Sequence, residues 1–283
     1  MTDSFDIVSV KAFGDLIIIL SSLKSAPTAH RSRLLLGRHL QPLFDALESP
    51  VEATWLDHGE TGVPSFYDIR NSGVRKAAVS ALWLRRGVAA ASSRNVLLFD
   101  RLGWRERFLA GGRRARALPP ADNIYLAYRA LFGNPALDSA LPRRGGHIGI
   151  FPGSRLASKN LPLELVGQVR KRIAAHGGES ELLLLDGERP DLERAGLGGR
   201  VVPRSFAAML DAVRTCDAVI SADSMPAHLA QMMGRPVFVF TPVVNNYWLP
   251  YSALAGNRWA LFRDGPGQAL SDFLSGWSAA DGG

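Results

Sequence analysis

The sequence predicts an α/β protein of two domains, each built on a mostly parallel sheet. Three observations predict it. Strand-length apolar runs alternate with helical segments, a pattern that demands parallel strands joined by helical crossovers. The 283 residues are long for one core and comfortable for two. Residues 134–146, NPALDSALPRRGG, are rich in chain breakers and lack periodicity, which gives domains of 1–140 and 141–283.

The first domain opens with an apolar strand over 5–10 and a Gly14-Asp15 turn. LIIILSSLKS (16–25) then reads as a helix against its own β-branched run. HRSRLLLGRHLQPLFDALES (30–49) is amphipathic and predicts a second helix. VEATWLD (51–57) and RNVLLFDR (94–101) have strand character, and VRKAAVSALWLRRG (74–87) reads as a helix closed by Gly87. NIYLAYRALFG (123–133) completes the half as an amphipathic helix.

The second domain alternates more cleanly. HIGIF (147–151) is a strand, followed by a Gly-Ser loop and a helix from Pro162 to residue 176, proline being favoured in a first turn. ELLLLD (181–186) is a buried strand. Helix 205–215, strand 217–221, helix 226–233 and strand 236–240 follow, and a last helix over 267–277 could return to brace the first domain.

Composition narrows the classes. Hydrophobic content of 47% and charge of 21% are those of a folded soluble chain. The single cysteine, Cys216, excludes an internal disulfide framework and a thiolate metal cluster, and its place before an apolar strand reads as a buried inert thiol. Residues 1–24 carry Asp3, Asp6, Lys11 and Asp15, with no apolar run approaching the ~20 residues that span a bilayer, so a cytoplasmic protein is expected.

The net charge of +7 is unevenly placed. Residues 70–116 hold twelve Arg or Lys against Asp100 and Glu106. RLGWRERFLAGGRRAR (101–116) interleaves Trp104 and Phe108 with arginines, among them Arg105, Arg107, Arg113 and Arg114. Such a stretch suits an anionic membrane surface or an anionic lipid-linked acceptor. Nucleic acid is the competing partner, but no recognisable nucleic-acid module accompanies the charge. A solvated basic loop with its aromatics in the core is the plain structural alternative.

The most informative stretch is 217–250, DAVISADSMPAHLAQMMGRPVFVFTPVVNNYWLP. Strand, polar turn and helix put Asp223, Ser224, His228 and the positive end of a helix dipole at the carboxyl edge of a sheet, where open α/β folds bind phosphorylated ligands. A second candidate loop, PGSRLASKNLP (152–162), also joins strand to helix. Gly153 permits close backbone approach, Ser154 offers a hydroxyl and Lys159 a cation. Glu188, after the strand of LLLLDGERPD, could accept from ribose hydroxyls, with Asp186 as competitor. Helix capping by Asp223, Ser224 and Asp15, a solvated Lys159 and a core His228 are the structural readings of the same residues. Walker A, G-x-G-x-x-G, H-E-x-x-H and G-x-S-x-G patterns are all absent.

The 223–228 run resembles the D-[ST]-G-x-x-H-x-A signature of bacterial glycosyltransferase family 9, the lipopolysaccharide heptosyltransferases. Met225 stands where that pattern has Gly. Residues 152–162 resemble the family's phosphate loop, with Phe151 in place of His and Leu161 in place of Trp. Thr241, Pro242, Trp248 and Pro250 resemble its G-P-T-x-x-x-x-W-x-P-Y run, and Lys11, Gly14 and Asp15 its K-x-x-x-G-D.

The resemblance implies a GT-B arrangement, two Rossmann-like domains facing across a cleft. It implies an inverting, metal-independent transferase without cofactor, with Asp15 as catalytic base. Ser154, Lys159, Glu188, Asp223, Ser224 and His228 would bind a nucleoside-diphosphate sugar, by resemblance ADP-heptose. The acceptor would be a lipopolysaccharide core or related anionic glycan at the inner membrane face. Met225 leaves open another sugar nucleotide or a protein or capsule acceptor, and a non-catalytic nucleotide-binding scaffold at the membrane is the third reading.

Overall fold

The computed structural model describes residues 4–24, 26, 32–91, 95–133 and 146–278. The chain divides into two compact units, Met1–Pro135 and Ala136–Gly283. Residues 134–145 of the expected boundary lie outside the described residues.

The first unit runs β1 (Phe5–Ser9), α1 (Phe13–Leu23), β2 (Arg33–Gly37), α2 (Gln41–Ala46), β3 (Ala53–Leu56), α3 (Ile69–Ser72), α4 (Val74–Ala90), β4 (Val96–Phe99), α5 (Trp104–Ala110), β5 (Ala115–Ala117) and α6 (Ile124–Phe132). Its sheet is wholly parallel in the order β3-β2-β1-β4-β5. Val8, Leu35, Leu56, Leu84, Val88 and Leu97 belong to one buried cluster between sheet and helices. The buried carboxylate of Asp6 is met by Arg33 at 3.0 Å, Asn95 at 2.9 Å and Arg113 at 3.6 Å.

Of the helix expected over 30–49, only its second half is helical. Residues 33–37 are strand β2, then a short turn leads into α2 with Pro42 in its first turn. Leu34, Leu35 and Leu36 are fully buried, with β1 on one side and β3 on the other. A parallel strand covered on both faces reads as a continuous apolar run, and beside basic residues that run mimics a helix stripe. The helix expected to stop at Gly87 continues to Ala90. Gly87 serves packing: a Cβ there would lie 3.2 Å from the Leu56 side chain on β3.

The second unit runs β6 (His147–Phe151), α7 (Leu163–Ala175), β7 (Glu179–Leu185), α8 (Pro190–Arg194), β8 (Arg200–Val202), α9 (Phe206–Arg214), β9 (Ala218–Ala222), α10 (Met225–Met232), β10 (Val237–Thr241), α11 (Tyr251–Ala255), β11 (Trp259–Leu261) and α12 (Gln268–Ser278). Its parallel sheet has the order β11-β10-β9-β6-β7-β8. The last helix, read from sequence as able to brace the first domain, puts Leu270, Phe273 and Leu274 into the second unit's own core, with Phe273 5.7 Å from Phe238. Cys216 is buried in the second unit, and burial pushes its thiol up to about 11, which keeps it protonated and inert.

Both units are therefore open parallel α/β folds. Each has one topological switch point, where successive connections leave in opposite directions: between β1 and β4, and between β6 and β9. The crevice outside the carboxyl ends of such strands is where these folds take ligands.

Candidate functional site

At the β6/β9 switch point the two loops singled out by sequence come together. The chain leaves β6 through Pro152, Gly153 and Ser154 and makes one tight turn, Ala157–Lys159. Its shape is fixed from within: Leu161 N–H donates to Pro152 O at 2.9 Å, and Ser154 N–H donates to Asn160 Oδ1 at 2.7 Å. Leu161, in place of a larger aromatic, is fully buried in the core and anchors the loop's exit.

Across the switch point, β9 ends at Ala222 and α10 begins at Met225. Lys159 Nζ donates to Asp223 Oδ2 at 2.7 Å. Asp223 is only 5% exposed while Lys159 keeps 30%, so the cation has one side on its carboxylate and another toward solvent. Ser224 occupies the N-cap position of α10, yet its hydroxyl makes no cap bond. It faces the carbonyls of Gly153, at 3.2 Å, and Ala222, at 3.3 Å, tying the two loops together. Pro226 has no N–H, so the opening turn presents the Met225 amide, which no intrahelical carbonyl can take.

His228 lies in the same helix and is buried. Burial lowers its pKa to about 4, against the opposing pull of Asp223 and with the help of Lys159, so the ring is neutral at pH 7. Glu188 lies under Gly153: a Cβ on Gly153 would run into its carboxylate. Burial raises the Glu188 pKa, against the Leu185 N–H and the nearby Arg204 and Arg189. Asp186, the competing acid, is exposed.

Arg189 is a residue that sequence reading passed over. It is 5% exposed, forms a two-point pair with Asp191 at 2.9 and 2.7 Å, and donates through Nη1 to Pro152 O at 3.0 Å. A buried guanidinium thus clamps the start of the phosphate-loop candidate. The R-P-D spacing of Arg189 and Asp191 was the available signal. The 241–251 run starts at the last residue of β10, and just past its far end Gln231 of α10 accepts through Oε1 from Ser252 N–H at 2.8 Å. Trp248 is half-buried, edge-on to Tyr247 at 5.1 Å.

The β1/β4 switch point of the first unit holds a charged cluster. Lys11, just past β1, donates to both oxygens of Asp100, just past β4, at 2.8 and 2.9 Å, and lies 3.6 Å from Glu106. Tyr67 donates to Glu106 at 3.4 Å, and burial followed by the Glu106 charge raises its pKa. Asp15, half-exposed, accepts from Ala12 N–H at 3.3 Å and so caps α1 from its first turn. His39 Nε2 lies 3.2 Å from Lys11 O, and its Nδ1 lies 3.2 Å from His58 Nε2. Because a carbonyl only accepts, His39 carries its proton on Nε2 and His58 donates to it. His39 is lowered to about 4, chiefly by burial.

The four arginines expected to face an acceptor or membrane divide. Arg107 and Arg114 are exposed. Arg105 is half-buried and stacks over Tyr67, Phe66 and Trp104 at 5.7, 6.0 and 5.2 Å. Arg113 turns inward, donating to Val88 O at 2.9 Å and approaching buried Asp6, because a carboxylate inside the sheet needs cations around it. Among the described residues no group of three or more His, Cys, Asp or Glu is arranged to hold a metal ion, and no helix is long and apolar enough to cross a membrane.

No protein-family model matches the chain, and no curated protein sequence matches it. Solved structures do. A glycosyl transferase family 9 protein of Veillonella parvula aligns over 92% of this chain and 86% of its own, with TM-score 0.57 and 14% identity. E. coli heptosyltransferase WaaC, solved with ADP, covers 91% of this chain and 92% of its own, with TM-score 0.59 and 12% identity. E. coli ADP-heptose lps heptosyltransferase II covers 98% and 100%, with TM-score 0.59 and 13% identity. The chain has the fold of the family 9 glycosyltransferases. At such identities the likeness extends to the fold, and the chemistry is argued from this chain's own residues. On the family 9 fold, Lys159, Asp223, Ser224 and Gly153 meet at the second unit's switch point, with Glu188 beneath Gly153.

Proposed function

We propose that this protein is an inverting, metal-independent glycosyltransferase that takes a nucleoside-diphosphate sugar in its second unit. The observation that carries the proposal is the Lys159–Asp223 pair at the β6/β9 switch point, beside the opening turn of α10. A pyrophosphate brings about two negative charges, which Lys159, the Met225 amide and the helix dipole answer without a metal. Asp223 orients the lysine, Ser224 joins the loops, neutral His228 supports Asp223, and Glu188 accepts from the ribose.

The transfer is one displacement. The acceptor oxygen bonds to the anomeric carbon, the bond from that carbon to the diphosphate breaks, and the diphosphate leaves with the electron pair. Asp15 takes the acceptor's proton. ADP-heptose is the proposed donor, because the structural neighbours include WaaC solved with ADP and with ADP-2-deoxy-2-fluoro heptose. The proposed acceptor is a lipopolysaccharide-core or related anionic glycan at the inner membrane face, where the protein is peripheral.

Titration of ADP, UDP and GDP by calorimetry into the wild type and Lys159→Ala, without divalent metal, tests this reading. Selective ADP binding that weakens in the variant is expected. Selective UDP or GDP binding would retain the transferase and replace the heptose donor. Absence of binding by every nucleotide would overturn the reading.

One observation favours a second donor. Met225 stands at the first position of α10, half-buried, where the family pattern has Gly. A side chain there narrows the space over the opening turn, which suits a different sugar. A donor panel separates the two: transfer from another sugar nucleotide and none from ADP-heptose would establish it.

A further inference from the structure

We propose that the outer face of α4 docks on an anionic lipid bilayer. The helix carries no acidic residue and four cations, Arg75, Lys76, Arg85 and Arg86. Its inner stripe, Ala77, Ser80, Ala81, Leu84 and Val88, is buried. At 100° per residue the opposite face presents Arg75, Val79, Leu82, Trp83 and Arg86. That face is apolar at its centre and basic at both ends. Val79 and Leu82 are each 51% exposed and Trp83 48%.

An outward stripe of this kind does nothing for folding. A helix with apolar residues on both sides is one that buries both. Of the cations, Arg85 is engaged, with its guanidinium 4.9 Å from the Phe108 ring centroid. Arg75, Lys76 and Arg86 are exposed and have no ion-pair partner among the described residues.

Charge chooses the occupant. A second copy of the chain would bring Arg75 and Lys76 against Arg86, like against like, with no acid on either helix to relieve it. Anionic headgroups neutralise the three cations while Leu82 and Trp83 enter the headgroup boundary, an interface that indole rings favour. Trp104, 64% exposed at the start of neighbouring α5, extends the same chemistry. Arg113 turns inward and Arg105 stacks on aromatic rings, so the 101–116 stretch offers less outward charge than its count implies, with Arg107 and Arg114 exposed beside the α4 cations.

The inference extends the acceptor half of the proposed function, since a lipid-linked acceptor lies in such a surface. It is read without nucleotide or sugar, so its failure and that of the transfer reading are separate. The experiment is sedimentation of the full chain with phosphatidylglycerol–phosphatidylcholine vesicles and with pure phosphatidylcholine vesicles at ~0.15 M salt. The wild type is expected to bind the anionic vesicles only. Leu82→Ser/Trp83→Ser lowers binding at least ~10-fold through lost apolar insertion. Each cation near an anionic surface strengthens binding roughly fivefold, so Arg75→Glu/Arg86→Glu lowers it on the order of a hundredfold. Val201→Ser, an exposed apolar position on the other unit, binds like the wild type. Wild-type binding to neither vesicle, or undiminished binding by both double variants, would overturn the proposal. So would a wild-type dimer that Leu82→Ser/Trp83→Ser dissolves in the absence of vesicle binding, which would assign the face to self-association.

Discussion

Lys159 Nζ lies 2.7 Å from Asp223 Oδ2, joining the loop after β6 to the turn after β9 across 64 residues of sequence. The pair sets the first prediction. Lys159→Ala removes the site's cation and weakens nucleotide binding by about 1–2 kcal/mol, roughly 10-fold or more. It also leaves a nearly buried carboxylate without its partner, which costs about 1–3 kcal/mol of stability. Calorimetry and urea unfolding of the same variant measure both losses. An unchanged affinity would take Lys159 out of the site.

Gly153 and Glu188 give a prediction about packing. Gly153→Ala drives a methyl into the Glu188 carboxylate, the far end of a flexible side chain that must swing aside, and costs about 1 kcal/mol in unfolding free energy. Gly153→Ala/Glu188→Ala makes room and recovers most of that loss beyond the Glu188→Ala baseline. The double-mutant cycle reads the coupling directly. Additive effects would show that the two residues do not share space.

The alternation of strands and helices was legible because each parallel strand is a short buried run and most helices have a clear polar face. Residues 33–37 failed for the same reason: Leu34 to Leu36 are buried from both sides and carry no alternation to mark a strand. Lys159, Asp223 and Ser224 were each visible at a strand-to-helix turn, since local chemistry singles them out. Lys11 and Asp100 show what was not visible. Their two bonds depend on β4 pairing with β1, and nothing local in the chain states strand order. Arg113 failed differently, because counting charge says nothing of direction, and buried Asp6 drew it inward. Arg189 escaped notice because a buried arginine is improbable until its partners, Asp191 and the Pro152 carbonyl, are in place.

His228 and His39 predict acid lability in each unit. Both rings are lowered from 6.5 to about 4, chiefly by burial, so the folded state holds them neutral. Between those values the unfolded chain binds more protons than the folded one, and stability rises with pH. It is therefore full above about pH 6.5 and is lost as pH falls toward 4, by about 3 kcal/mol from His228 if its whole shift is expressed. Urea midpoints at a series of pH values from 4 to 7 measure the slope. His228→Gln flattens it in the second unit's transition, and a slope that persists unchanged would assign the acid lability to other groups.

Asp15 separates capping from catalysis. Its carboxylate accepts from Ala12 N–H at 3.3 Å, a bond that an asparagine side-chain oxygen can also accept. Asp15→Asn therefore costs no more than about 1 kcal/mol of stability through the lost charge at the start of α1. An amide cannot take a proton at neutral pH, so on the proposed mechanism the same variant loses transfer by roughly 10²–10⁴-fold. Nucleotide affinity stays at the wild-type value, because Asp15 lies outside the donor-binding set. Single-turnover rates beside nucleotide titrations and unfolding curves distinguish the two roles. A folded Asp15→Asn protein that binds nucleotide and transfers sugar at the wild-type rate would leave Asp15 as a helix cap alone and move the search for the base to Asp100, the carboxylate that Lys11 holds at the same switch point.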